Sequence, residues 1–135
     1  MIDWQALIEA ALDARKRAYA PYSNYPVGAA LLGEEGTVFA GANVENRIFG
    51  LTVCAERAAL VAAVSAGVTR FDALVVATDS APPAAPCGQC RDSLAEFAID
   101  LPILLINTEG KQDSRNLADL LPHPFRLGGK LPGED

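Results

Sequence analysis

No apolar run in this sequence is long enough to cross a bilayer. The longest, such as Val27 to Leu32 and Ile103 to Ile106, fall far below the roughly 20 residues that a spanning helix needs, so no membrane partner is expected. Positive charge is also scarce. There are 11 Lys and Arg against 17 Asp and Glu, a formal net charge of −6. No basic cluster offers a local exception, so the surface field repels polyanions and no nucleic-acid partner is expected. The opening Met1-Ile2-Asp3-Trp4-Gln5 lacks the basic and apolar regions of a secretory signal, which places the expected location in the cytoplasm. Histidine occurs once, as His123 between two prolines, and its spacing ties it to no other metal-ligating residue. Cysteine occurs three times, with Cys87 and Cys90 only two residues apart. That odd number and that spacing favour a metal or redox site over a disulfide framework.

What remains is a chain of 135 residues, 50% of them hydrophobic. It can bury one core and is too short for two ordinary ones, so residues 1–135 are expected to form a single domain. Asp3 can cap a helix whose apolar positions Trp4, Leu7, Ile8, Ala11, Leu12 and Tyr19 fall mostly at helical spacing, with Pro21 closing it. Val27 to Leu32 and Thr37 to Ala40 read as antiparallel strands joined by Gly33-Glu34-Glu35-Gly36. An irregular stretch from Gly41 to Thr52 precedes an alanine-rich helix, Cys54 to Ala66, with Gly67 in the stop position. Ala73 to Thr78 reads as a buried strand, and the proline-rich loop from Ser80 to Pro86 delivers Cys87 to a third helix, from about Gly88 to Phe97. A strand from Ile103 to Asn107, a short helix from Asn116 to Leu121 and a tail from His123 to Asp135 complete the reading. The middle of the chain thus alternates β-α-β-α-β, the pattern of an α/β sheet, partly parallel, with helices on its faces.

Two motifs, Cys54-Ala55-Glu56 and Pro86-Cys87-Gly88-Gln89-Cys90, hold every cysteine in the chain. Three thiolates form a soft donor set suited to Zn²⁺. A tetrahedral ion with three protein ligands keeps its fourth position for water, the layout of a catalytic site, whereas a structural zinc would need a fourth ligand. Each motif falls at a predicted helix start, where unpaired amides and the positive end of the dipole stabilise thiolates. Glu56, two residues after Cys54, has no need to ligate and can be aimed at the open position as a proton carrier. Because three thiolates leave a dication with net negative charge, some group should draw charge from the sulfurs. Arg57 is the best candidate to hydrogen-bond them and Arg91 a weaker one, a surface ion pair being the alternative for either.

A ligand-x-Glu motif followed by Pro-Cys-x-x-Cys is the signature of zinc-dependent nucleobase deaminases. Around it stand Ala20-Pro21-Tyr22-Ser23, Val27-Gly28-Ala29-Ala30-Leu31, Asn43-Val44-Glu45-Asn46, Arg57, Arg91 and Leu120-Leu121-Pro122. With these the chain resembles, over nearly its whole length, the cytidine deaminase family of the small homotetrameric type. The resemblance implies a three-layer α-β-α fold with a mixed five-stranded sheet. It implies one Zn²⁺ per chain on Cys54, Cys87 and Cys90, and hydrolytic deamination of cytidine and deoxycytidine to uridine and deoxyuridine with release of ammonia, a reaction of pyrimidine salvage. Glu56 would carry protons from water to the ring and to the departing amine. Asn43 and Glu45 match an Asn-x-Glu that hydrogen-bonds ribose hydroxyls; alternate residues of an extended segment point the same way, so both can face one sugar. Tyr25 stands where the family has a phenylalanine beside the substrate. Phe125 matches a tail aromatic that stacks on the pyrimidine from a neighbouring subunit. For each aromatic the competing reading is ordinary packing or tail anchoring. Asp92, Arg47 and Phe49 depart from the family pattern, which bears on the pocket rim and subunit contacts rather than on the reaction.

Two other readings stay open. A blasticidin-type or other aminopyrimidine deaminase would share the zinc motifs, but those enzymes lack the acidic residue that Glu45 supplies here. A non-catalytic zinc-binding module would have no use for Glu56, so that Glu56→Gln would leave it unchanged. A thiol-disulfide enzyme would leave Cys54, at a second helix start, unexplained.

Overall fold

In the computed structural model, which describes residues 1–129, the chain runs α1 (Trp4–Arg15), β1 (Gly28–Gly33), β2 (Val38–Ala42), α2 (Ala55–Ser65), β3 (Phe71–Thr78), α3 (Gly88–Ala95), β4 (Pro102–Asn107), β5 (Gln112–Asn116) and α4 (Leu117–Leu120). A single 3-10 turn covers Phe49–Leu51. The strands form one sheet in the order β2-β1-β3-β4-β5. β3 and β4 run parallel and the other three neighbouring pairs run antiparallel.

Both faces of the central strands are covered, which is why β3 reads as a continuous apolar run rather than an alternating one. On one face Leu7 and Ala11 of α1 pack with Ala30, Ala73, Val75, Ala77, Leu104 and Ile106. On the other, Ala55, Ala59, Leu60 and Ala63 of α2 and Leu94 of α3 pack with Ala29, Leu31, Leu74, Val76, Ile103 and Leu105. From Ala73 to Ala77 odd and even positions of β3 thus serve opposite layers, as the two-residue period of a strand requires. The result is the three-layer α-β-α arrangement with a mixed five-stranded sheet.

Two glycines let the helices approach this closely. A Cβ on Gly28 would lie 2.0 Å from the Ala11 carbonyl oxygen of α1, and one on Gly41 would lie 2.4 Å from the Ala59 amide nitrogen of α2. The second contact matters for function, because α2 begins directly after Cys54.

Several boundaries differ from the sequence reading. Asp3 caps α1 by accepting from the Ala6 amide at 3.1 Å, but the helix ends at Arg15 and leaves out Tyr19. The Tyr19 amide donates instead to the Asn43 carbonyl at 2.9 Å, and its carbonyl accepts from the Glu45 amide at 2.8 Å. These bonds hold Tyr19 against Val44 in an isolated parallel bridge, so its apolar ring had counted toward the wrong periodicity. α3 stops at Ala95. β5, Gln-Asp-Ser-Arg-Asn, carries no apolar residue and was not expected from the residues themselves. It is an edge strand held to β4 by its backbone ladder, and pattern-based reading has nothing to detect there. The expected tail extends past the described residues from position 130 onward.

Candidate active site

The site is built at the ends of α2 and α3. Cys54 is the N-cap residue of α2 and Cys87 the N-cap residue of α3, both with extended backbone, while Cys90 lies in the first turn of α3 and is fully buried. Helix geometry therefore aims three sulfurs at one point. Cys54 Sγ and Cys87 Sγ are 3.9 Å apart, Cys87 Sγ and Cys90 Sγ 3.6 Å apart, and all three lie within 4.8 Å of one another. Tetrahedral zinc with Zn–S of about 2.3 Å would need sulfurs about 3.8 Å apart, so the cluster fits that ion in both donor type and spacing.

Charge around the sulfurs is arranged to match. Arg57 Nη2 donates to Cys54 Sγ at 3.7 Å and to the Thr52 carbonyl at 3.2 Å. The guanidinium forms no carboxylate ion pair among the described residues, and its Nε is buried without a hydrogen-bond partner. A partly buried cation gains from a nearby counter-charge, and the Cys54 sulfur is the acceptor its guanidinium reaches. The hydrogen bond from Cys90, with help from Arg57, pulls the Cys54 thiol down to about 5, and the same bond with burial holds Cys90 protonated. Metal ligation needs the thiolate form, so a divalent ion bound here would displace thiol protons. Arg91 neither hydrogen-bonds a sulfur nor forms an ion pair among the described residues. Its Nε donates to the Pro86 carbonyl at 2.8 Å and its Nη1 to the Leu120 carbonyl at 3.0 Å. It binds the peptide just before Cys87 to the end of α4 and touches no sulfur.

Beside the cluster lies a cavity of about 310 Å³, whose lining includes Tyr25, Asn43, Glu45, Cys54, Glu56 and Cys87. Val76 and Thr78 in its lining place it at the carboxyl end of β3, where α/β sheets bind their ligands. Glu56 is 5% exposed, and burial pushes its carboxyl up to about 7, with the Cys54 charge adding to the rise. A carboxyl held near neutrality can both take and give a proton at physiological pH.

Asn43 and Glu45, which also line the cavity, are each anchored by hydrogen bonds within the fold. Asn43 is 7% exposed; its Nδ2 donates to the Tyr25 carbonyl and its Oδ1 accepts from the Val27 amide, each at 2.9 Å. Glu45 Oε1 accepts from the Tyr22 and Ser23 amides at 2.9 and 3.1 Å, and its Oε2 accepts from the Ser23 hydroxyl. An amide offers two donors and an oxygen with two lone pairs, and a carboxylate about four acceptor sites. Asn43 and Glu45 therefore each keep capacity for a ligand hydroxyl. Phe125 does not join them: it is 77% exposed and lies outside the lining of this chain's cavity. Ser23, Thr52, Thr78, Ala84 and Ala85 also line it and were not singled out from the sequence. Ser23 belongs to the Ala20-Pro21-Tyr22-Ser23 motif, and Thr78 is the last residue of a predicted strand, which is a usable signal in an α/β sheet.

Comparison with known proteins agrees with this geometry. Residues 1–105 match the family model for the cytidine and deoxycytidylate deaminase zinc-binding region. The chain is 46% identical to the cytidine deaminase of Sporosarcina psychrophila over 92% of both chains. It is 45% identical to that of Halalkalibacterium halodurans over 92% of this chain and 95% of the relative. The crystal structure of the cytidine deaminase from Burkholderia pseudomallei superimposes with a TM-score of 0.88 at 47% identity, covering 93% of this chain and 100% of that one. The chain belongs to the zinc-dependent cytidine and deoxycytidylate deaminase family. Its cofactor is zinc, for which Cys54, Cys87 and Cys90 form the fitting donor group.

Proposed function

We propose that this enzyme hydrolyses the exocyclic amine of cytidine and deoxycytidine, giving uridine or deoxyuridine and ammonia. The observation that carries the reading is one cavity whose lining brings together a buried carboxyl, Glu56, two cysteines of the sulfur cluster, Cys54 and Cys87, and the polar pair Asn43 and Glu45. Zinc, when bound, supplies a Lewis acid that activates water for attack.

The chain's own residues then do the following. Glu56 accepts the proton of the attacking water and delivers it to ring N3 as the oxygen adds to C4. It next takes the remaining hydroxyl proton and passes it to the amine nitrogen. The C4–N bond breaks, ammonia leaves and the C4 carbonyl forms. Its raised pKa suits both directions of transfer. Arg57 supports the cluster by donating to Cys54 Sγ. The free acceptor and donor capacity of Asn43 and Glu45 receives the sugar hydroxyls, which favours a nucleoside over a free base or a blasticidin-type substrate. Tyr25 walls the cavity beside the pyrimidine.

We further assign residues 1–135 to one deaminase domain acting in cytoplasmic pyrimidine salvage as a homotetramer. Support for assembly comes from exposed apolar side chains, Val44, Ile48, Phe49, Leu51 and Val61, surface that a subunit contact would cover. Phe125 is exposed and free to reach a neighbouring subunit's cavity. Among the described residues no helix is long and apolar enough to cross a membrane. The test is incubation of zinc-loaded protein with cytidine and, separately, cytosine, with chromatographic identification of product. Uridine from cytidine and no reaction of cytosine is the expected result; turnover of another aminopyrimidine but not of cytidine would overturn the substrate assignment.

A further inference from the structure

Tyr25 lies between α1 and β1, in a stretch without helix or strand, yet its backbone is fixed on both sides. The Asn43 amide holds the Tyr25 carbonyl and the Val27 amide, and the Tyr25 amide donates to Ser23 Oγ at 3.0 Å. What this leaves free is the ring. Its hydroxyl meets the Ser80 hydroxyl in a hydrogen bond across the chain, although Ser80 itself does not line the cavity.

Ser80 is a rigid post. Its amide donates to Thr78 Oγ1 at 3.1 Å and its carbonyl accepts from Asn107 Nδ2 at 3.0 Å. Thr78 and Asn107 are both buried, and they are register partners at the carboxyl ends of the parallel strands β3 and β4. Asn107 Oδ1 in turn accepts from the Glu109 and Lys111 amides, each at 3.0 Å. The Tyr25 hydroxyl is therefore tied, through Ser80, to the paired ends of β3 and β4. A phenylalanine at position 25 would have no hydroxyl to make this bond.

We propose that Ser80 is a positioning residue: its hydroxyl latches the Tyr25 ring to the ends of β3 and β4, so that one wall of the nucleoside pocket is in place before substrate enters. The inference rests on the nucleoside reading of the cavity. A ring that is ordered only on binding adds its rotamer entropy to the cost of association, about a two- to tenfold loss of affinity. A neutral hydrogen bond contributes an effect of about the same size.

The experiment measures kcat and KM for cytidine in the wild type, Tyr25→Phe, Ser80→Ala, Ser80→Thr and the Tyr25→Phe/Ser80→Ala double variant. It is paired with NMR of the labelled Tyr25 ring and hydroxyl in nucleoside-free, zinc-loaded protein. Each loss of a hydroxyl should raise KM about two- to tenfold, more than it lowers kcat. The double variant should be no worse than the worse single one, because both remove the same bond. Ser80→Thr should restore KM, and Ser80→Ala should speed ring flipping and hydroxyl exchange. An increase with Tyr25→Phe but none with Ser80→Ala would make the hydroxyl a direct substrate contact and overturn the latch. Multiplying effects, or an unchanged ring signal in Ser80→Ala, would do the same. Absence of cytidine turnover in the wild type would count against the nucleoside reading, while the ring spectroscopy would still decide the latch.

Discussion

Replacing Gly41 by alanine perturbs the active site through the fold alone. The added Cβ would sit 2.4 Å from the Ala59 amide nitrogen, 2.7 Å from the Ala55 carbonyl oxygen and 2.9 Å from the Ala58 Cβ, where ordinary contact begins at 3.4 Å. Two of these atoms are helix backbone and cannot rotate away, so α2 must withdraw from β2 by about 1 Å. Overpacking of this kind costs about 1–3 kcal/mol. With an unfolding entropy of about 2.1 cal/mol/K per residue, that is a fall in Tm of about 4–11 °C for a chain of this length. The functional effect should be larger. Cys54 and Glu56 travel with α2 whereas Cys87 and Cys90 stay with α3, so the displacement opens the sulfur triangle and shifts the proton carrier together. A misplacement of 1 Å near reacting groups costs about 10²-fold in rate. Calorimetry, zinc content and kcat/KM on one preparation test this. A Gly41→Ala protein with wild-type Tm, zinc and kcat/KM would refute the claim that glycine sets the distance between α2 and the sheet.

The three-thiolate group should bind about one zinc per chain, and Cys54→Ala or Cys87→Ala should lose it together with turnover, as elemental analysis and assay would show; full activity of metal-free protein would contradict this. Arg91→Ala frees the Pro86 and Leu120 carbonyls from a charged donor, each bond being worth about 1.5–3 kcal/mol. Zinc should then leave faster to a chelator and the Tm should fall; unchanged values would show that the clip is idle. The Ser23 hydroxyl, with the Ser23 and Tyr22 amides, holds the Glu45 carboxyl below its ordinary 4.5. Because the folded value is the lower one, this contribution to stability is fully present above 4.5 and is lost as pH falls through the depressed value. Carbon NMR titration should find Glu45 lowered in the wild type and moved back toward 4.5 in Ser23→Ala; an ordinary value in the wild type would contradict the clamp.

Features with a local signal were legible in the residues. Asp3, Gly67 and the apolar spacing marked α1 and α2, the two-sided apolar run marked β3, and the cysteines at helix starts pointed to one metal centre. Features made by long-range hydrogen bonds were not. Arg91 reads as a charged neighbour of Cys90, yet its partners are carbonyls at Pro86 and Leu120, the latter 29 positions away. Ser80 reads as a loop residue until the fold sets it opposite Tyr25, 55 positions earlier. Glu45 was legible as a candidate ligand for the sugar, but not as the acceptor that ties down the 22–23 turn. β5 escaped for the opposite reason: its stability comes from backbone pairing with β4, and a strand of Gln, Asp, Ser, Arg and Asn carries no apolar pattern to read.

The central claim is that Glu56 carries the protons of a zinc-dependent cytidine deamination. The direct measurement follows the absorbance change of cytidine with wild type and Glu56→Gln, matched for fold and zinc content. The wild type should turn over, and Glu56→Gln should keep its zinc and fold but lose at least about 10²- to 10⁴-fold in rate. An active Glu56→Gln, or a folded, zinc-loaded wild type inert toward cytidine, would contradict the account.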